Sequence, residues 1–259
     1  MRKAFQIQRS VVFALFLREI KTRFGQARLG YLWAIVEPTL HVVILLTMFT
    51  IVRGRIQPGF DYAVFVTTGI VPFLFFTHMV SRSLATVDAN RGLFWFRQVT
   101  PFDAVVARTI LEALISAGIL LILIAGLGML GRDVAVRAPL ELLGTAGLLL
   151  AFVFGCSMLC CVVGALFPES KRILPFLIRP LYFISGVIFP ISVIPQQYQA
   201  LLLWNPILHL LELIRAYYFS SYTLWHGDVT YVVVVTVAIN LVAIAWYRMA
   251  RYRIATAEA

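Results

Sequence analysis

Along this chain apolar residues gather in long blocks, and polar residues collect where the blocks end. Six blocks approach or reach the ~20 residues that a helix needs to cross a ~30 Å hydrocarbon layer. They are residues 31–52, 62–80, 104–130, 140–167, 173–189 and 230–247. The pattern predicts an all-α polytopic membrane protein with six transmembrane helices in a single domain, 1–259. The fifth block is short and contains Pro175, Arg179 and Pro180, so its ends are the least defined.

Two stretches fall outside that scheme. Across residues 9–24, Phe13, Phe16, Leu17, Ile20 and Phe24 recur at helical spacing while Arg18 and Lys21 fall on another side. This is the pattern of an N-terminal helix lying in the membrane interface. A helix packed on the protein's own cytoplasmic face would carry the same stripe. Between the fifth and sixth blocks, Pro190, Pro195 and Pro206 divide residues 190–220 into apolar pieces too short to cross, and Tyr198 and Trp204 stand where amphipathic rings suit an interface. We read these pieces as re-entrant periplasmic half-helices, because irregular backbone at that depth needs protein or a cavity beside it. An outer loop resting on the headgroups is the alternative.

Composition fixes the solvent. The chain is 61% hydrophobic and 13% charged, with a mean hydropathy of +0.90, whereas a soluble domain is about half apolar and about a quarter charged. So few charges cannot cover this much apolar surface. The net charge of +10 raises the question of a nucleic-acid partner, but the basic residues sit at block ends rather than in a groove, so none is expected. With the N-terminus inside, 17 of the 22 lysines and arginines lie on cytoplasmic flanks, as the positive-inside bias requires. Both termini are then cytoplasmic. Arg2, Lys3 and Arg9 before the apolar run 11–17 imitate a signal peptide, but Arg18 and Glu19 end that run without a small-residue cleavage site. Residues 1–30 are therefore expected to stay as a cytoplasmic or interfacial segment.

Candidate chemistry is sparse. Gly25 and Gly30 form a GxxxxG, but Tyr31 and Leu32 follow where a phosphate-binding loop needs Lys and Ser or Thr. Four scattered histidines offer no catalytic or metal set, and Cys156, Cys160 and Cys161 inside one apolar run read as packing residues. Ionisable residues inside apolar blocks are more informative, since each is costly in lipid. Glu37 and His41, four apart, share a helical face that should point inward, to line a path or to hold helices together. Arg108 and Glu112 have the spacing of an internal ion pair. In residues 88–101, Leu93, Phe94, Trp95 and Phe96 form an apolar run bracketed by Arg91 and Arg97 on a cytoplasmic loop. Such a run wants a partner's groove or the headgroup layer, and spacing does not separate the two.

Four segments carry a family resemblance: RFGQARLGYLWAIVEPTLH at Arg23 to His41; Ser81 through RGLFWFRQVTPFDAVVAR to Arg108; FPE at Phe167 to Glu169; and LPFLIRPLYFISGVIFPISVIPQQY with LLWNPILHLLELIR to Arg215. Together they resemble the capsule polysaccharide export permeases of the ABC-2 type, over nearly the whole chain. The resemblance implies a non-enzymatic transport subunit in a bacterial inner membrane. It implies a homodimer seated on two nucleotide-binding subunits, which hold ATP and Mg while this chain holds no cofactor. A periplasmic co-polymerase or adaptor and an outer-membrane export protein are further implied partners.

By the same resemblance, residues 89–98, with Asn90, Arg91, Leu93, Phe94, Trp95, Phe96 and Arg97, form the coupling helix. Pro190, Pro195, Gln197, Tyr198, Trp204 and Pro206 belong to a periplasmic gate. An acidic, lipid-terminated polymer would meet Arg18, Lys21, Arg23 and Arg28 at the entrance and slide over Tyr31, Trp33, Tyr182 and Phe183 beside Glu37 and His41. These aromatics equally suit core or interface positions. The alternative is an ABC-2 permease for O-antigen, teichoic acid or another lipid-linked substrate, and a membrane enzyme or channel would need no ATPase partner.

Overall fold

The computed structural model describes residues 2–24, 30–53, 60–96, 98–222 and 227–256. Among these the chain is helical throughout, without strands. The helices are α1 (Arg2–Phe24), α2 (Gly30–Arg53), α3 (Tyr62–Ser83), α4 (Thr86–Asn90), α5 (Pro101–Met129), α6 (Pro139–Leu166), α7 (Ser170–Ile184), α8 (Gln196–Leu202), α9 (Pro206–Tyr218) and α10 (Val229–Thr256).

Local sequence sets several of the starts. Asp61 caps α3 by accepting from the Ala63 amide at 2.8 Å. Thr100 and Asp103 form a reciprocal capping box before α5, with Pro101 in the first turn where its missing N–H costs nothing. Asn205 accepts from the Ile207 amide at 3.0 Å and Pro206 opens α9.

Four described helices are long and apolar enough to cross a membrane: Tyr62–Ser83, Pro101–Met129, Pro139–Leu166 and Val229–Arg251. They correspond to the second, third, fourth and sixth blocks. In α2 the described apolar stretch is shorter, Ile35–Met48. The fifth block ends early, because α7 stops at Ile184 and is about 22 Å long at 1.5 Å per residue. Residues 185–189 turn away through Gly186, which has φ of 67°.

Helix α3 is the central post, buried along nearly its whole length and packed by α2, α5, α6, α7 and α9. Helices α5 and α10 turn rows of Ile, Leu and Val outward, among them Leu114, Leu121, Val234 and Leu241, a surface suited to lipid rather than water. Helices α6 and α10 pack closely, and Asn240 donates from one to the Ala151 carbonyl of the other at 3.0 Å. Cys160 and Cys161 are buried in this packing, Cys156 is partly buried, and all three are free.

Gly164 on α6 lies against the backbone of Leu84, and a β-carbon there would overlap the Leu84 carbonyl. Gly164→Ala is therefore expected to destabilise the fold by about 1–3 kcal/mol or more through overpacking. Gly144→Ala and Gly147→Ala on the same helix meet open space and should be nearly neutral. Unfolding of the three variants in one detergent checks this, and equal midpoints would contradict the packing described.

Helix α1 packs lengthwise on α5 through Leu15, beside Ala104 and Ala107, with Val11, Val12 and Phe16 flanking. Phe13 and Leu17 from the sequence stripe stay exposed. One side of this helix thus lies on the protein, with Phe16 of the stripe against it and Phe13 and Leu17 exposed.

Candidate functional site

At one end of the helix bundle α4 stops at Asn90, and a 3₁₀ turn, Arg91–Leu93, follows. The chain then continues in turns, with the Phe94 amide on the Arg91 carbonyl and the Phe96 amide on the Leu93 carbonyl at 3.2 and 3.1 Å. The expected coupling helix 89–98 is thus a short helix plus a tight turn rather than one continuous helix, since i to i+3 bonds replace the α pattern after Asn90. Trp95 and Phe96 project outward, 81% and 64% exposed. Phe94 and Leu93 turn back onto the Leu15, Ala104 and Ala107 cluster. Asn90 is buried, Arg91 is exposed, and Arg97 lies outside the described residues.

Polar contacts tie α4 to three other helices. Arg18 of α1 donates to the Asn90 side chain and, at 2.9 Å, to the Ala89 carbonyl. Arg108 of α5 donates to the Thr86 hydroxyl at 2.9 Å and to the Arg82 carbonyl at 2.8 Å. Lys171 at the start of α7 pairs with Asp88. A displacement of α4 is therefore felt by α1, α5 and α7 together.

Beside this segment lies a buried charge cluster. The Glu112 carboxylate, 2% exposed, pairs with Arg23 of α1 and faces His78 Nδ1 at 3.4 Å and Arg82 at 3.7 Å. His78 Nε2 faces Glu37 of α2 at 3.4 Å. The expected Arg108 and Glu112 pair is corrected here: Arg108 binds Glu19 at 2.7 Å, and each residue takes its charge partner from another helix. Tertiary packing brought better-placed partners than the i, i+4 neighbour. Of the expected entrance cations, Arg18 and Arg23 are held by protein groups, Lys21 is exposed, and Arg28 lies outside the described residues.

The expected lining residues fall on α2 and α7. Trp33 is 66% exposed and His41 is exposed on α2, while the side chain of Tyr31 lies outside the described part. Tyr182 stands edge-on to Phe73 and to Phe183, each at 5.4 Å between ring centroids, with His41 at 6.3 Å. Helix spacing separates Glu37 from His41 only slightly, yet Glu37 turns to the charge cluster and His41 to this aromatic group.

At the opposite end, Pro190 is buried before a 3₁₀ turn, Ile191–Val193, and Pro195 precedes α8. Gln197, Tyr198 and Trp204 are exposed. Helix α9 is buried on all sides from Ile207 to Ala216. Within it Arg215, fully buried, donates to the Gly186 and Val187 carbonyls at 2.6 and 2.7 Å and stacks over Phe65 at 3.6 Å. Gly69 leaves the room this guanidinium occupies. Tyr222 donates to Glu212 at 2.7 Å, and burial, followed by the Glu212 charge, pushes its phenol well above the ordinary range, so the donor proton is retained. The positive-inside count leaves Arg215 among the five lysines and arginines outside the cytoplasmic flanks and gives it no other part. Its one signal was a Glu212 and Arg215 pair at i, i+3 within an otherwise apolar run.

Comparison with known proteins gives a match to the family model described as ABC-2 type transporter over residues 10–219. The chain is 40% identical to the polysialic acid transport protein KpsM of Escherichia coli, across 95% of this chain and 96% of that one. It is 28% identical to the capsule polysaccharide export inner-membrane protein BexB of Haemophilus influenzae, over 94% and 92% of the two chains. The O-antigen export system permease protein RfbA of Myxococcus xanthus is 25% identical over 82% of this chain and 81% of its own.

Proposed function

This chain belongs to the ABC-2 type transporter family, and on that premise we propose that it is the membrane-spanning subunit of an ATP-driven exporter of capsular polysaccharide. It is a non-catalytic, multi-pass permease of the bacterial inner membrane. The observation that carries the reading is the 40% identity to a polysialic acid transport protein along almost the full length of both chains. The match to an O-antigen permease is weaker and shorter, so capsule polymer is the preferred substrate class.

The finer mechanism is our reading of the geometry. ATP and Mg reside on two nucleotide-binding subunits beneath a homodimer of this chain. Trp95 and Phe96 enter a groove on that ATPase, and its closure moves α4 with the three helices bonded to it. Helices α2 and α7 complete six spans, α8 and α9 form the re-entrant outer gate, and both termini are cytoplasmic. The exposed faces of α2 and α7 border the path between protomers, and the substrate is acidic and lipid-terminated. A periplasmic adaptor and an outer-membrane protein take the polymer onward.

Purification from the native membrane tests the assembly. An ATPase subunit should co-purify in equal copy number. Recovery of this chain alone, active as a channel or enzyme, would overturn the reading.

A further inference from the structure

On the exposed face of α7, Phe183 belongs to a stripe with three residues that have so far been given no role in the path. Arg172, Phe176, Arg179 and Phe183 follow one another at spacings of four, three and four, which places them within a narrow strip of one helical face. All four are exposed, with Phe176 at 68% and Phe183 at 60%. Arg179 lies about 14 Å along the axis from Ser170, near mid-membrane if α7 starts at the inner boundary. Among the described residues no carboxylate lies within ion-pair reach of it.

Three occupants can be weighed for this face. Lipid would leave an arginine near mid-bilayer, among the most expensive placements known for a side chain. A second copy meeting α7 through the same patch would bring up a helix with no carboxylate to pair with Arg179, since a two-fold interface joins the same surface of both chains. A water-filled path holding a polyanion satisfies both the charge and the rings. Guanidinium groups bind carboxylates through paired donors, and the intervening phenyl faces take the apolar faces of sugar rings without fixing a register.

We propose that Arg179, with Arg172 below it and Phe176 and Phe183 between and above, is the contact site for the carboxylate groups of an acidic polysaccharide inside the path. The site rests on the proposed export function and names the element that selects charged over neutral polymer.

The test uses the complex of this chain with its ATPase subunit, with polysialic acid and an uncharged glucan of similar length as probes. Arg179→Gln should raise the half-saturating concentration of polysialic acid by about tenfold to a hundredfold, the loss of a charge-assisted hydrogen bond. Arg179→Lys should recover much of it, and glucan binding should be unchanged. A cysteine replacing Arg179, with the three native cysteines removed, should react with a water-soluble thiol reagent and be protected by polysialic acid. Unchanged polysialic acid binding by Arg179→Gln, or a position 179 that only lipid-soluble reagents reach, would overturn the proposal. Equal loss for both polymers would show a structural role and overturn it too. If the unaltered complex exports neither polymer, the export reading itself fails, an outcome distinct from these.

Discussion

Glu112→Gln is expected to destabilise the protein by about 3–5 kcal/mol, because it breaks a buried ion pair and takes from Arg23, Arg82 and His78 the carboxylate they share. Glu37 faces His78 from the other side, and Glu19 acts on Arg82. Arg23→Gln should cost less, because His78 and Arg82 still face Glu112. The double replacement of Glu112 and Arg23 by leucine should recover part of the loss, since a buried pair exchanged for apolar groups is often neutral. Denaturant unfolding of the purified protein in detergent measures all three. Single variants within about 0.5 kcal/mol of the parent would show that the cluster is solvated and not the brace described here.

Trp95→Ala with Phe96→Ala should abolish export while the protein still inserts and folds. Exposed aromatic anchors that fill a partner's pocket commonly contribute at least ~2 kcal/mol each, so loss of both should weaken ATPase binding by about a hundredfold or more. Both side chains project from the turn after α4 and are mostly exposed, so the fold should tolerate their loss. Phe94 is unsuitable for the same experiment, because it closes the cluster between α1 and α5 and its removal would confuse docking with folding. If the double variant retains its ATPase and exports normally, these rings anchor in the headgroups instead.

Much of the fold was legible because lipid imposes a simple code. A helix crossing hydrocarbon must be long and apolar, and the second, third, fourth and sixth blocks show it within a few residues. The caps Asp61, Thr100 and Asn205 stand where orphan amides need acceptors, though the block pattern alone did not single them out. The fifth block misled in length because its apolar run continues past Ile184, whereas the backbone turns at Gly186 under the pull of the Arg215 guanidinium. That bond joins residues far apart in the chain, so no local pattern announces it.

The site was less legible for the same reason. Spacing linked Arg108 to Glu112, but packing of α1 on α5 supplied Glu19 and Arg23 instead. The aromatic run 93–96 was conspicuous, yet its division into two partly buried and two exposed side chains depends on how the 3₁₀ turn winds after Asn90. The stripe on α7 was hidden because Arg179 read as a flanking charge of a short span, and only the helix's true start and exposed face line it up with Arg172, Phe176 and Phe183.

The central claim is tested most directly by reconstituting this chain with its ATPase subunit into proteoliposomes whose cytoplasmic face is outward, with capsule polysaccharide supplied outside. With ATP, polymer should become protected from an added glycosidase, and a non-hydrolysable analogue should give no protection. Polymer that stays accessible with ATP present, or that enters equally without it, would contradict the account.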